Sequence, residues 1–212
     1  MQKCVNLISK NHDQNAWTHP QGIYYRRTGI DPRGKTVALF PGQGAQYLNM
    51  GKDLVLNFPL IRQTFENANK VFSSDGRKPL TDSIFPIPVF TEDEKISQKD
   101  FLTNTENAQP AIGTLSVGLY KLLAAADFQA NFFAGHSFGE LTALWASGVF
   151  DEETLIRLAK ARGEAMALPV SSAQDTGTMI AVKGNIELIT ELVTDNSNVS
   201  IANLNSPSQV VL

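Results

Sequence analysis

The chain has 212 residues, 42% hydrophobic and 18% charged, with a formal net charge of −3. That length carries one sizeable core, or one large and one small domain. The charge balance excludes a basic nucleic-acid surface, and no run of about 18 apolar residues is present to span a membrane. Cys4 is the single cysteine, so no internal disulfide forms, and a reduced, cytoplasmic setting is expected. The N-terminus is polar and lacks the apolar stretch of a signal peptide.

Residues 1–35 read as a linker, with His12, His19, little apolar periodicity, and a closing turn at Asp31-Pro32-Arg33-Gly34. A large subdomain is expected over 36–172. Val37-Ala38-Leu39-Phe40 is a short apolar run of the kind found in buried parallel strands. Met50 to Phe72 reads as helix broken at Phe58-Pro59, with Ile61, Phe65, Ala68 and Phe72 at helical spacing. Residues 73–104, with three prolines and the acidic Glu92-Asp93-Glu94, read as a solvated connection. Asn107 to Ala126 is a helix with Pro110 in its first turn and Ile112, Leu115, Leu119, Leu122 and Leu123 on its apolar face. An apolar strand then enters Gly135-His136-Ser137-Phe138-Gly139 and a helix follows at once. Asp151 caps a further helix that runs to about Leu168, where Pro169 ends it.

Residues 173–212 are expected to form a small subdomain. Its strands are Thr178–Val182, Val199–Ala202 and Gln209–Leu212, with a helix over Asn185–Val193 and a turn at Asn205-Ser206-Pro207-Ser208. This β-α-β-β order is an incomplete ferredoxin-like unit, without its last helix and strand. The fold class is therefore α/β: a hydrolase-like large subdomain with a parallel sheet and a nucleophile elbow, plus the incomplete ferredoxin-like piece.

The elbow carries the chemistry. Small residues two before and two after Ser137 let a strand-to-helix turn close, and the following helix aims N–H groups at the space above the serine. Gly42-Gln43-Gly44 follows the first strand, and parallel strands bring such loops to one sheet edge. The backbone N–H groups of Gln43 and Phe138 are therefore candidate oxyanion donors. The loop also reads simply as a strand-to-helix connection. Arg162 interrupts the apolar stripe Leu155, Ala159, Met166. A guanidinium there serves either a structural ion pair or a substrate carboxylate, which it grips bidentately. Gln109, at the entry of its helix, either donates into the same cleft or plays an ordinary helix-entry role. No metal site is expected.

Five segments occur together in order: Gly42-Gln43-Gly44-Ala45-Gln46, Gln109-Pro110-Ala111, Gly135-His136-Ser137-Phe138-Gly139-Glu140, Arg162-Gly163-Glu164-Ala165-Met166 and Gly177-Thr178-Met179, with Asn205-Ser206-Pro207 after them. The set resembles the malonyl-CoA:acyl carrier protein transacylase family over roughly residues 36–212. Phe138 and the run Gly139 to Leu144 most resemble acyltransferase domains of polyketide and polyunsaturated fatty acid synthases. The resemblance implies that Ser137 takes a malonyl group from malonyl-CoA as an ester and passes it to the phosphopantetheine thiol of an acyl carrier protein. It implies oxyanion donors at Gln43 and Phe138, a carboxylate grip by Arg162 and a substrate contact by Gln109. It implies no resident cofactor, and partners limited to acyl-CoA, carrier protein and other synthase domains. The family's base is a histidine in a part of the fold beyond residue 212, so the chain is expected to be a C-terminally truncated piece, nearly inactive alone. An α/β-hydrolase-type esterase or thioesterase shares the elbow but leaves Arg162 unexplained. A non-catalytic structural or carrier-docking module is the third reading.

Overall fold

The computed structural model describes residues 2–20, 22–29, 34–74, 76–167 and 178–212, and the chain divides into two units, residues 1–167 and 168–212. The expected subdomain boundary at 172, the turn at 31–33 and the helix end at Leu168-Pro169 lie outside the described residues.

The first unit opens with helix α1 (Gln2–Lys10) and an antiparallel hairpin, β1 (Ala16–His19) and β2 (Ile23–Arg26). The linker expectation for 1–35 is corrected here. Trp17 and Tyr25 face each other across the hairpin and stack at 5.3 Å, which gives four-residue strands a cross-strand anchor.

Strand β3 (Val37–Phe40) follows as expected, then helices α2 (Lys52–Asn57) and α3 (Pro59–Ser74), with the break at Phe58. Ile61, Phe65, Ala68 and Phe72 are all buried. The connection expected over 73–104 is corrected: it holds α4 (Thr81–Ile84) and α5 (Glu92–Thr103). A capping box starts α5, with Glu94 N–H donating to Thr91 Oγ1 and Thr91 N–H to Glu94, and the acidic run lies in its first turn where the helix dipole favours it.

Helix α6 (Thr105–Ala125) begins two residues earlier than expected, so Pro110 lies inside it rather than in its first turn. Proline lacks the N–H that would donate four residues back, and this close to the helix start the loss is confined to one bond. The expected apolar face of α6 is partly displaced: Ile112 is buried, while Leu119 and Leu123 line an open cavity. Strand β4 (Phe132–Gly135) pairs parallel with β3, Phe40 opposite Gly135. Helices α7 (Gly139–Ala146) and α8 (Glu152–Ala167) complete the unit, with Asp151 accepting from Thr154 N–H as the cap of α8. The main core lies among α3, α6 and α8, centred on Phe65, Ile61, Ala111 and Ile156. Tyr120 on α6 meets Phe40, Phe133 and Trp145 edge-on and thereby seats the sheet on the helices.

The second unit holds β5 (Ala181–Lys183), α9 (Ile186–Thr194), β6 (Asn203–Ser206) and β7 (Gln209–Val211) in one antiparallel sheet of order β5-β7-β6. The middle strand lies four residues later than the expected Val199–Ala202. Ser206 pairs with Gln209, so the turn is only Pro207-Ser208 and the partners of β7 must flank it.

Candidate active site

Because β3 and β4 run parallel and in register, the loops that leave them emerge at the same sheet edge. His136 N–H donates to Phe40 O at 3.2 Å and extends the pairing one residue past β4. The chain then reverses at Ser137, whose φ of 53° is left-handed. A non-glycine residue there costs about 1–2 kcal/mol. The glycines on either side make that reversal possible. A side chain at Gly135 would collide with the Gly139 backbone, and one at Gly139 with the Phe40 carbonyl. Gly139 N–H then donates to His136 O at 2.9 Å and Glu140 N–H to Ser137 O at 3.1 Å.

The Phe138 side chain holds the turn from below. It is completely buried against Ile112, Ala159 and Leu141, and a Cβ on Gly113 would stand 2.9 Å from its ring. Ser137 is left exposed at the tip. Among the described residues its hydroxyl makes no hydrogen bond, and neither does the Phe138 backbone N–H at the start of α7. An unspent amide beside an exposed hydroxyl is suited to an anion forming on a bound carbonyl.

The second loop meets this turn directly. Gly42 packs on the His136 backbone so closely that a Cβ would strike its carbonyl oxygen. Gln43 follows, exposed, and its backbone N–H also makes no hydrogen bond among the described residues. Its side chain turns back to α6: Gln43 Nε2 donates to Thr105 Oγ1 at 3.2 Å and Gln109 Nε2 donates to Gln43 Oε1 at 3.2 Å.

Arg162 sits where the stripe on α8 leaves the core. Leu155 and Ala159 are inaccessible, Met166 is exposed, and Arg162 is half-buried between them. Its Nη1 is buried and has no hydrogen-bond partner among the described residues, an arrangement that favours an anionic ligand. Gln109 is fully buried, and its Nε2 reaches Met166 Sδ at 3.4 Å as well as Gln43. The elbow thus meets the Gln43 loop, and Gln43 meets Gln109, which reaches Met166 on α8; among the described residues no hydrogen bond or ion pair joins Arg162 to any of them. Thr105 is a site residue that the sequence does not announce. Its signal is the i, i+4 spacing to Gln109, which an expected helix start at Asn107 conceals. Among the described residues no group of three or more His, Cys, Asp or Glu side chains is placed to hold a metal ion, and no helix is long and apolar enough to cross a membrane.

A serine exposed at a strained strand-to-helix turn, on the edge of a parallel sheet packed against helices, belongs to an α/β protein. The chain belongs to the acyl transferase domain family, whose model matches residues 37–212. It is 31% identical over 212 residues to a polyunsaturated fatty acid synthase polypeptide of Thraustochytrium, covering 97% of this chain and 7% of that protein. It is 33% identical over 183 residues to malonyl CoA-acyl carrier protein transacylase of Bacillus subtilis, covering 84% of this chain and 53% of the relative. Among solved structures it resembles a malonyl-transacylase in complex with its type II polyketide synthase acyl-carrier protein, at 33% identity and a TM-score of 0.66 over 84% of this chain and 54% of that one. The chain spans about half the length of the transacylases it matches.

Proposed function

We propose that this chain carries the nucleophile half of an acyltransferase that moves a malonyl group from coenzyme A to the phosphopantetheine thiol of an acyl carrier protein, in fatty acid or polyketide synthesis in the cytoplasm. Ser137 Oγ attacks the thioester carbonyl. The C–O bond forms, the C–S bond breaks, and the coenzyme A thiolate leaves and takes up a proton. The carrier's thiol then attacks the acyl ester and the serine hydroxyl is restored. The N–H groups of Gln43 and Phe138 hold the oxyanion in both steps, and Arg162 grips the malonyl carboxylate. No resident cofactor or metal takes part. The base that relays the serine proton comes, in this reading, from the half of the relatives' length that the chain does not span.

The observation that carries the proposal is the exposed Ser137 in a left-handed turn, with the unspent Phe138 N–H beside it and the Gln43 loop packed on its neighbour His136. The Nη1 of Arg162, buried and without a partner among the described residues, favours a carboxylate-bearing acyl group over a plain ester substrate. The all-antiparallel order β5-β7-β6 supports reading the second unit as an incomplete ferredoxin-like unit whose fourth strand would add beside β5, and the β3–β4 elbow supports reading the first as a hydrolase-like large subdomain.

Mass spectrometry of the chain after exposure to malonyl-CoA tests this. Without the base, a malonyl adduct on Ser137 is expected to form slowly, over long exposure, and to be absent in Ser137→Ala. Arg162→Ala is expected to lose about 2–4 kcal/mol of transition-state binding, roughly 30- to 700-fold in malonyl loading, with acetyl loading spared. Equal loss for both acyl groups would remove Arg162 from the carboxylate. Addition of carrier protein should yield malonyl-carrier; release of free malonate instead would mark a hydrolase.

A further inference from the structure

Gln43 has two separable parts. Its backbone N–H belongs to the loop packed on the elbow, while its side chain lies on the first turns of α6. Thr105 and Gln109 stand four residues apart on that helix and therefore share a face. Thr105 Oγ1 accepts from Gln43 Nε2 and Gln109 Nε2 donates to Gln43 Oε1, both at 3.2 Å, so one rigid element holds both ends of a single carboxamide. Gln109 is itself immobilised: it is inaccessible to solvent, and its Nε2 also reaches Met166 Sδ at 3.4 Å. The Gln109 Nε2 is thus spent on Gln43 and Met166, while its Oε1 is buried with no hydrogen-bond partner among the described residues, so the side chain presents no donor to a substrate.

We propose that Thr105 and Gln109 are positioning residues, a two-point clamp on the Gln43 carboxamide that fixes the aim of the Gln43 backbone N–H beside Ser137. The proposal rests on the reading that this amide serves as an oxyanion donor. The physical need is clear from the loop itself. Gln43 is exposed and lies between two glycines, and the backbone holds its peptide only through the packing of Gly42 on His136 and a long, 3.4 Å hydrogen bond from Ala45 N–H to Gly42 O, so its side chain has room to set the aim. An oxyanion donor lowers the barrier only if it is already oriented when charge develops, and removal of one such donor costs about 10²–10³ in rate. A clamp that supplies only the orientation is expected to account for about 10- to 100-fold of that.

The test uses the full 212-residue chain and a fluorophosphonate, which reports the oxyanion site without a second substrate. Ser137 Oγ bonds to phosphorus, the P–F bond breaks, fluoride leaves, and the serine proton passes to solvent. Gln43→Met keeps the backbone N–H and the surface location but cuts both side-chain bonds. It is expected to leave the melting temperature unchanged, to speed amide hydrogen exchange across residues 42–46, and to slow phosphonylation of Ser137 by about 10- to 100-fold. Thr105→Val, a near-isosteric change, should reproduce part of both effects, and adding it to Gln43→Met should slow the reaction no further. Gln109→Met should behave likewise; if it fails to fold, the Gln43 and Thr105 variants decide. Unchanged exchange at 42–46 in Gln43→Met, or rate losses that simply multiply, would overturn the clamp. A wild-type Ser137 that resists the reagent altogether reports on the base the chain does not span, and the exchange data alone then decide whether the clamp exists.

Discussion

The helical side of the first unit and its sheet side are built to different degrees of closure. Around α3, α6 and α8 the apolar side chains are sealed: Ile61, Ala68, Ile84 and Ile156 are essentially inaccessible. On the β3–β4 pair, Leu39 is 75% exposed, Phe132 50% and Val37 47%. Beside them lies an apolar cavity of about 290 Å³ lined by Leu39, Phe40, Leu119, Tyr120, Leu123 and Phe128. Parallel strands are normally covered on both faces, and a two-stranded sheet has little stability of its own. Among the described residues, cover is seen on the face where Phe40 and Phe133 turn onto Tyr120, while Val37, Leu39 and Phe132 are left exposed. The strands supply the direction of the elbow, but its position is fixed from the helix side, through Phe138 against Ile112 and Ala159. The edge that carries Ser137 can therefore be held firmly by one finished wall while the other wall is open.

The sharpest way to break this contrast is to damage the finished wall. Phe65→Ala should destabilise the chain by about 3–5 kcal/mol, because the surrounding helices cannot collapse into the space. Denaturant unfolding reads this directly, and a loss below about 1 kcal/mol would mean the helical core is not the main support. Ser137→Gly probes the elbow between the two walls. It removes the left-handed strain, offset by the greater freedom of glycine in the unfolded chain, for a net gain of about 0.5–1 kcal/mol. Acylation is lost in the same variant, so stability and function should move in opposite directions. On the open wall, Leu39→Ser should change stability by no more than about 0.5 kcal/mol while reducing the binding of a hydrophobic dye. A large destabilisation there would show that Leu39 is covered in solution.

The same contrast explains what is legible in the sequence. The elbow is readable because its constraints are local: Gly135 and Gly139 are demanded by backbone atoms within a few residues or on the adjoining strand. The core face of α3 is readable because Ile61, Phe65, Ala68 and Phe72 repeat at helical spacing. Helix α5 buries only Leu102, so no apolar stripe marks it, and only the Thr91–Glu94 capping pattern records its start. The hairpin at 16–26 has strands too short for alternation to register, and its Trp17–Tyr25 stack is a cross-strand fact. The Thr105–Gln43 contact spans 62 positions, and nothing in either segment announces the other. Residue types declare their chemistry in sequence; which side chain restrains which amide emerges only from packing.

The smallest expected effect concerns the caps, which lie outside both walls and should respond to pH alone. The Thr91 hydroxyl, and then its backbone N–H, hold the Glu94 carboxyl below its ordinary 4.5. The Thr154 side chain and N–H hold Asp151 below its ordinary 3.8. The folded chain therefore binds these protons less tightly than the unfolded chain. Each contribution is complete above the unfolded value and is lost as pH falls through the lower folded one. Glu94→Gln keeps the reciprocal hydrogen bond of the capping box but removes the charge. Its melting temperature should lie slightly below wild type at neutral pH, and the two should converge as pH drops below about 4.5. Both carboxyls are fully exposed, so added salt should weaken the dipole part of the difference. Divergence rather than convergence in acid would mean that the Glu94 charge works against α5, and that the Thr91 hydroxyl alone caps it.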